Sequence, residues 1–515
     1  MAADVQRGQL TAADLDALRR RGIDRDEVER QLALLADPPP PIELIAAATE
    51  SNGIETIGET QRPALLELWR EAAEEGRLRK LVPASGAASR MFASLSRALE
   101  SGDDLRVAAL SARAAQGDAT AKDVLAFAER LRDFPFHRAL AIAVDSSLAA
   151  IEALEPDADL RTAIARLLGP EGLGFAGLAK GLVPFHRLGE RSVTPVEEHL
   201  GEAALLVRDR SGLARVHFTV PENGEDALQR VAADAVEPDT RFELELSTQS
   251  PATDTVALAA DGRPFRTTDG ALLFRPGGHG ALLRNLEQMA GDLVLVKNID
   301  NVQPEDRRAA SILWQRLLIG LLVRLQREVF TLLDRLDDDQ DRSATGDARA
   351  FLSRWLEAGE VAETDHDALR RKLDRPLRVA GMVVNAGEPG GGPFWTRDAE
   401  GRVSKQIVES AEIARTEPQQ RILRASTHFN PVLLALALRD RRGHPYRLAD
   451  FVDQTRVFVS EKTARGEKLR ALEHPGLWNG SMAGWNTVFV EIPKEAFTPV
   501  KTVLDLLRPE HQPAP

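Results

Sequence analysis

Two rhythms of hydrophobic and polar positions run along this chain. Near its start the spacing is helical. Thr11 and Asp14 precede Leu15 and Leu18, and Asp24 and Glu27 precede Val28, Leu32 and Leu35, each a capping pattern opening an apolar stripe. Pro38–Pro41 closes this pair as a stiff linker. From about Lys80 the apolar residues gather into short runs, Leu81–Pro83, Ala214–Val220, Leu293–Val296 and Leu377–Val384, which predict buried strands. Helical stretches such as Val124–Leu131 and Gly280–Met289 lie between them, and this alternation predicts an α/β layered fold. From Pro304 to Arg375 the pattern is almost wholly helical, with an acidic patch at Asp337–Asp341 and a loop expected at Ser343–Gly346. The expected organisation is a helical N-terminal segment (1–75), a first part of an α/β core (76–303), a helical insertion (304–375), a second part of the core (376–440) and a C-terminal segment (441–515).

Composition narrows the classes. A chain of 515 residues with 43% hydrophobic and 28% charged residues has enough apolar material for a large core. The balance of 66 basic against 79 acidic residues, net −13, argues against nucleic acid as a partner and against reading the N-terminal helix pair as a DNA-binding module. Cysteine is absent, which removes disulfides, thiolate catalysis, zinc fingers and iron–sulfur ligation. Met1–Gly22 shows no apolar leader, and the longest apolar runs, Leu317–Val323 and Pro431–Leu438, fall far short of the roughly 20 residues of a membrane helix. A soluble, cytoplasmic protein without a membrane partner is expected; the sequence sets no oligomeric state.

Candidate chemistry sits in glycine-bearing segments with charged residues nearby. In Lys80–Phe92 an apolar strand runs into Ser85-Gly86-Ala87-Ala88-Ser89, then Arg90. This is either an anion site of close backbone and one fixed cation or a tight strand-to-helix turn with Arg90 on the surface. Lys180 stands among glycines in Gly177–His186. The following Thr194-Pro195-Val196-Glu197 is a capping box that makes Glu197 and Glu198 structural, and His199 reads as a packed or surface histidine. Gln249 precedes Pro251, and Pro276-Gly277-Gly278-His279-Gly280 opens a helix, a second place where backbone can touch a ligand. Lys297-Asn298-Ile299-Asp300-Asn301 ends an apolar strand, where α/β folds place metal-binding acids and where Asn and Asp also make plain turns. Gly387–Phe394, Glu409 with Glu412, and Phe497–Asp505 with Lys501 complete the set.

Taken in order, these segments resemble the UDP-sugar pyrophosphorylases (sugar-1-phosphate uridylyltransferases) of the nucleotide-diphospho-sugar transferase superfamily. They resemble more closely a related bacterial family described as a domain of unknown function. Pro83–Met91 is similar to the Leu-x-Gly-Gly-x-Gly-Thr-Arg signature loop, keeping Gly86 and Arg90 but carrying Ser85, Ala88 and Ser89 at its first glycine, third glycine and threonine. Lys180 with Pro184 resembles the lysine segment, Gln249 the glutamine stretch, Pro276–Gly280 the nucleoside loop and Ile299-Asp300-Asn301 the Val-Asp-Asn strand end. Glu388-Pro389-Gly390 and Val408–Ile413 resemble the sugar-side pair, with Ser410 in place of tyrosine. His428-Phe429-Asn430 is similar to a segment near the metal, and Phe497–Lys501 matches Phe-x-Pro-Val-Lys.

The resemblance implies a Rossmann-like, GT-A-like α/β core with a mixed central sheet, and transfer of a nucleotide from a nucleoside triphosphate, UTP being the expected one, to a sugar 1-phosphate with release of pyrophosphate. It implies that Arg90, Lys180 and Lys501 act on the phosphates. Ser85, Gly86, Ala87, Gln249, Gly277, Gly278, His279 and Gly280 would line the nucleotide, Glu388, Gly390, Glu409 and Glu412 the sugar, and Asp300 with Asn430 would hold Mg²⁺. A non-catalytic nucleotide or sugar-nucleotide binder and a glycosyltransferase-like enzyme on the same scaffold are the alternatives.

Overall fold

The computed structural model describes residues 10–144, 148–235, 237, 239–289, 291–338, 341, 343–357, 361–387 and 390–513. The chain divides into two interleaved units, Met1–Ala72 with Gln249–Leu295 and Leu317–Ile492, and Ala73–Thr248 with Val296–Arg316 and Pro493–Pro515. The consecutive segments expected from sequence are therefore threaded through one another.

The first unit is built on a mixed sheet in the order Ile54–Glu55, Asn486–Glu491, Leu377–Val384, Leu433–Ala437 and the start of Leu293–Lys297, whose last two residues belong to the second unit. Leu377–Val384 runs parallel to Asn486–Glu491 (Leu377 opposite Asn486) and antiparallel to Leu433–Ala437 (Leu377 opposite Ala437). Its residues from Leu377 to Val383 are all buried, as expected of a strand covered on both faces, and the one charged residue among them, Arg378, donates to Thr487 Oγ1 at 2.8 Å and to Trp478 O at 2.6 Å. A three-stranded antiparallel sheet joins Glu43–Ala47, Gly392–Arg397 and Val403–Val408. A four-stranded one joins Phe458–Ala464, Glu467–Glu473, Thr255–Ala259 and Phe274–Arg275. The N-terminal helices pack on the latter, with Leu18, Ile23 and Val28 against Val256 and Leu272.

The second unit carries a parallel ladder of Leu78–Pro83, Leu213–Val220 and Arg241–Thr248 (Lys80 opposite Val216, Leu213 opposite Arg241). A helical subcore between Ala93 and Leu168 buries Phe92, Phe127, Phe134 and Phe136. Ala88, Val302, Val500, Val503 and Leu506 belong to the same cluster, which pins three distant stretches of chain to one support.

Local signals act as expected at Thr11, whose hydroxyl accepts from Asp14 N–H while Asp14 accepts from Thr11 N–H, and at Thr194, where Glu197 closes the box behind Pro195. Asp24 is the N-cap of Arg25–Ala36 but makes no side-chain cap bond, and the Glu27 carboxylate accepts from Arg30 and Gln31 rather than from the Asp24 backbone. Two expectations are corrected. The 1–75 stretch is not all helix, since it contributes the strands Glu43–Ala47 and Ile54–Glu55. Ser343–Gly346 is not a loop but the cap and first turn of the helix Ala344–Trp355, because Asp341 Oδ1 accepts from Ser343 N–H and Ala344 N–H. The stretch 304–375 carries the long helix Ala309–Leu336 and two shorter ones. Among the described residues no helix is long and apolar enough to cross a membrane.

Candidate functional site

In the second unit, the strand Leu78–Pro83 delivers the chain into Ala84–Arg90. Ala84 N–H donates to Thr219 O and Oγ1 at 3.0 and 3.1 Å, anchoring the loop's entry. Two backbone bonds then tie the loop to the next segment: Lys180 N–H donates to Gly86 O at 3.0 Å and Ala88 N–H to Leu178 O at 2.9 Å. This is how Lys180, 90 residues downstream of Arg90, comes to the signature loop. Ser85 is half-buried and Gly86 and Ala87 are exposed. A Cβ on Gly86 would meet nothing within 4 Å, so the chain itself leaves this side of the loop open. Ala88, which replaces a glycine of the resembled motif, is fully buried in the hydrophobic cluster and keeps its methyl away from the open side. Arg90 is exposed and makes no hydrogen bond or ion pair with a described residue.

Lys180 Nζ donates to Asp300 Oδ2 at 2.8 Å, and Lys501 Nζ donates to the same oxygen at 3.3 Å. The turn at Asp300 is fixed from both sides. Asn301 N–H donates to Asn298 O, Thr498 N–H to Asn301 Oδ1, and Val500 N–H to Asp300 O. Thr502 and Asp505 form a capping box, and Asp505 Oδ2 also accepts Lys501 N–H at 2.7 Å. Lys180 and Asp300 are largely buried, whereas the Lys501 side chain is 60% exposed. Burial raises the Asp300 carboxyl, but the two ammonium groups outweigh it and hold the acid below its ordinary value. Burial also lowers the Lys180 ammonium below the usual lysine value against the pull of Asp300. Asp300 Oδ1 is buried and has no hydrogen-bond partner among the described residues. Two cations on one anion leave a net positive cluster beside an open loop, a combination suited to a phosphate, while the orphaned Oδ1 suits a metal ion.

The first unit brings together a different set. His279 lies flat on Trp478, with ring centroids 4.2 Å apart. Its Nδ1 accepts Leu477 N–H at 3.1 Å, which leaves Nε2 as the protonated nitrogen, 3.7 Å from Glu409 Oε1. Burial raises Glu409, but His279, Asn479 and Arg456 bring its carboxyl below the ordinary value. Glu412 is placed otherwise than facing a sugar. Its Oε2 accepts Glu409 N–H at 2.8 Å and Asn479 Nδ2–H at 3.1 Å, and its Oε1 accepts Arg456 Nε–H and Nη2–H at 2.9 and 2.8 Å. This saturated carboxylate holds the turn that aims Glu409.

The glycines of the Pro276–Gly280 loop are required by packing. A Cβ on Gly277 would lie 2.3 Å from Thr253 O, and one on Gly280 2.1 Å from Pro475 O; Gly278 has φ +75°. Gln249 Nε2 is buried without a hydrogen-bond partner among the described residues. Asn430 is buried, and its Oδ1 accepts the N–H of Val432, which stands at φ +58°. Gly390, at φ +152°, has open space at its Cβ position. Glu388 lies outside the described residues.

Sequence reading missed the most deeply buried charges of the second unit. Lys80 Nζ donates to Glu202 Oε2 at 2.7 Å and Lys297 Nζ to Glu202 Oε1 at 2.5 Å, all three side chains being 0–1% exposed. His199 is also buried, its Nε2 3.2 Å from Asn298 O. Trp478, Asn479 and Arg456 were missed in the first unit. The only signals were a lysine flanking each of two apolar strand runs and a helix, Pro195–Leu206, with few exposed positions.

The fold is similar to that of several solved proteins at low identity. The uridine diphosphate N-acetylglucosamine pyrophosphorylase of Trypanosoma brucei is 12% identical, with 97% of this chain and 79% of that one covered and a TM-score of 0.47. A UDP-glucose pyrophosphorylase of Leishmania major in complex with UDP-glucose is 12% identical over 98% and 79%, TM-score 0.43. The UDP-glucose phosphorylase of Trypanosoma brucei is 12% identical over 96% and 77%, TM-score 0.44. No curated protein matches the chain in sequence. Residues 11–512 match one family throughout, and the chain belongs to it: the family described as domain of unknown function DUF4301.

Proposed function

We propose that this protein is a nucleotidyltransferase that joins a nucleoside triphosphate, UTP being the expected one, to a sugar 1-phosphate. A phosphate oxygen of the sugar 1-phosphate forms a bond to the α-phosphorus, the bond from that phosphorus to the bridging oxygen breaks, and pyrophosphate leaves. The attacking phosphate is already an anion near neutral pH, so the reaction asks for in-line positioning and for cancellation of charge rather than for a general base. The observation that carries this reading is the pair Lys180 and Lys501 on Asp300 beside the open Gly86 loop.

In the second unit Lys180, Lys501 and the unpaired Arg90 hold phosphate oxygens, and the backbone of Ser85–Ala87 approaches them on the side where Gly86 has no Cβ. The buried, unpartnered Oδ1 of Asp300 fits Mg²⁺, which when bound to a triphosphate neutralises charge on its oxygens. Asn430 fits that role less well, since its oxygen already holds the backbone of Val432. In the first unit the orphaned Gln249 Nε2 offers a donor to a nucleobase, and His279, held flat on Trp478, presents Nε2–H with Glu409. Glu409 accepts sugar hydroxyls, Glu412 positions it, and Gly390 leaves room. Glu388 keeps the sugar-side role that the resemblance implies.

Pyrophosphate release tests the reading, with Mg²⁺, each nucleoside triphosphate in turn and a panel of sugar 1-phosphates. Release that needs both substrates and is lost in Lys180→Ala supports it. Nucleotide binding by calorimetry without release points to a binder, and no nucleotide binding overturns the reading.

A further inference from the structure

One group of side chains in the first unit belongs to neither set above. Glu50 sits in the turn before Ile54–Glu55. Backbone bridges from Thr49 to Asn52 and Gly53 close that turn, and Trp395 Nε1–H donates to Asn52 O at 3.2 Å. Gly53 stands at φ +102°, where a Cβ would lie 2.9 Å from the Trp395 indole, so the turn has little freedom. His428 opens the strand His428–Phe429, opposite Val384, and Glu491 ends the strand Asn486–Glu491, opposite Met382. One end of Leu377–Val384 therefore carries both, one from each neighbouring strand. Ligand atoms of Glu50, His428 and Glu491 all lie within 4.8 Å of one another.

The histidine is oriented. Its Nδ1 is 2.8 Å from Thr427 Oγ1 and its Nε2 is 3.1 Å from Glu491 Oε2. Thr427 can take the Nδ1 proton, which turns the Nε2 lone pair toward two carboxylates. Three acceptors then converge, with two formal negative charges and, among the described residues, no lysine or arginine bonded to either acid. The imidazole is 3% exposed, whereas the Glu491 side chain is 28% exposed and Glu50 is open, so the group is rigid on one side and accessible on the other. Glu50 also lines a cavity of about 430 Å³ with Ser51, Asn52, Trp355, Trp395 and Lys405.

We propose that Glu50, His428 and Glu491 form a site for a divalent transition metal of the Zn²⁺ or Mn²⁺ type. One imidazole and two carboxylates make a mixed nitrogen and oxygen donor set whose charge matches a dication, and the nitrogen selects against Mg²⁺ and Ca²⁺. Three protein ligands leave coordination positions for water or for a small anionic ligand. Thr427 acts on the far nitrogen, fixing tautomer and ring orientation.

Tag-free full-length protein, stripped with chelator and dialysed, is titrated with Zn²⁺, Mn²⁺ and Co²⁺ by calorimetry, with the Co²⁺ visible spectrum as a second readout. One equivalent is expected to bind in the presence of excess Mg²⁺. His428→Ala and Glu50→Gln each remove a direct ligand and should weaken it by at least the roughly 10–100-fold that losing an outer partner of a ligand costs, and Asp300→Asn should leave it unchanged. Glu50 is exposed, so its variant keeps the test valid if the buried histidine proves necessary for folding. Absence of binding, or binding that Glu50→Gln leaves intact, overturns the assignment.

Discussion

The second unit contains the same charge motif twice, an acid gripped by two lysines, and the two copies differ in almost everything else. In Lys80–Glu202–Lys297 all three side chains are sealed, and each lysine takes its own carboxylate oxygen. In Lys180–Asp300–Lys501 both lysines crowd onto Oδ2, Oδ1 is left without a partner, and Lys501 stands in solvent. Only two residues of sequence, Asn298 and Ile299, separate Lys297 from Asp300. The sealed copy has no capacity left for a ligand, so its charges act as structure. The open copy has an unused acceptor and a mostly exposed cation, so the same residue types keep capacity for the ligand proposed above. Completeness of pairing, rather than the presence of charge, distinguishes the two.

The sharpest way to break this comparison is to remove the sealed acid. Glu202→Gln leaves two ammonium groups buried without a carboxylate and is expected to cost about 3–5 kcal/mol, read as a large fall in denaturation midpoint. A smaller loss would mean that the sealed triad is wet. In the open copy the order reverses, with activity suffering more than stability. Lys180→Ala is expected to lower pyrophosphate release by about 10²–10³-fold with the fold retained by circular dichroism. Lys501→Ala removes a mostly exposed partner and should change stability by no more than about 0.5 kcal/mol, while weakening triphosphate binding about tenfold in calorimetry.

The smallest effect concerns protons. Burial, only partly offset by Glu202, lowers the Lys80 ammonium to about 8 from 10.5. Between those values the folded chain binds fewer protons at Lys80 than the unfolded chain, so this group's contribution to stability rises with pH. The gap in melting temperature between the parent and Lys80→Met should widen in favour of the parent from pH 8 to 10. Asp300 works at the other end of the scale. Its depressed value makes a contribution that is present above the ordinary 3.8 and lost on acidification below it.

Much of the open copy was legible from sequence, and almost none of the sealed one. Lys180 and Lys501 stand in short segments with their own glycine or proline punctuation, and Asp300 at the polar end of an apolar strand run, so local chemistry marks all three. Lys80 and Lys297 merely flank apolar strands, and Glu202 sits on a helix. Their bonds span 122 and 95 residues, a distance over which no periodicity speaks. The same limit explains Glu412, whose saturation depends on Arg456 and Asn479. The strands at Ala214–Val220 and Leu377–Val384 were plain in the apolar runs, but their order in a sheet follows from long-range pairing. The threading of two units through one another follows from nothing local.

That threading sets a timetable for biosynthesis. Asp300 and Lys501 come from the second and third stretches of their unit, 201 residues apart. A ribosome adding roughly 5–20 residues per second needs about 10–40 s to pass from one to the other. During that interval the nascent chain holds the acid but not its second lysine, and Val500, Val503 and Leu506 have not yet reached the hydrophobic cluster they complete. Assembly of the Asp300 cluster is thus deferred until Pro493–Pro515 has been made, and a chain released before Pro493 carries Lys180 and Asp300 without Lys501.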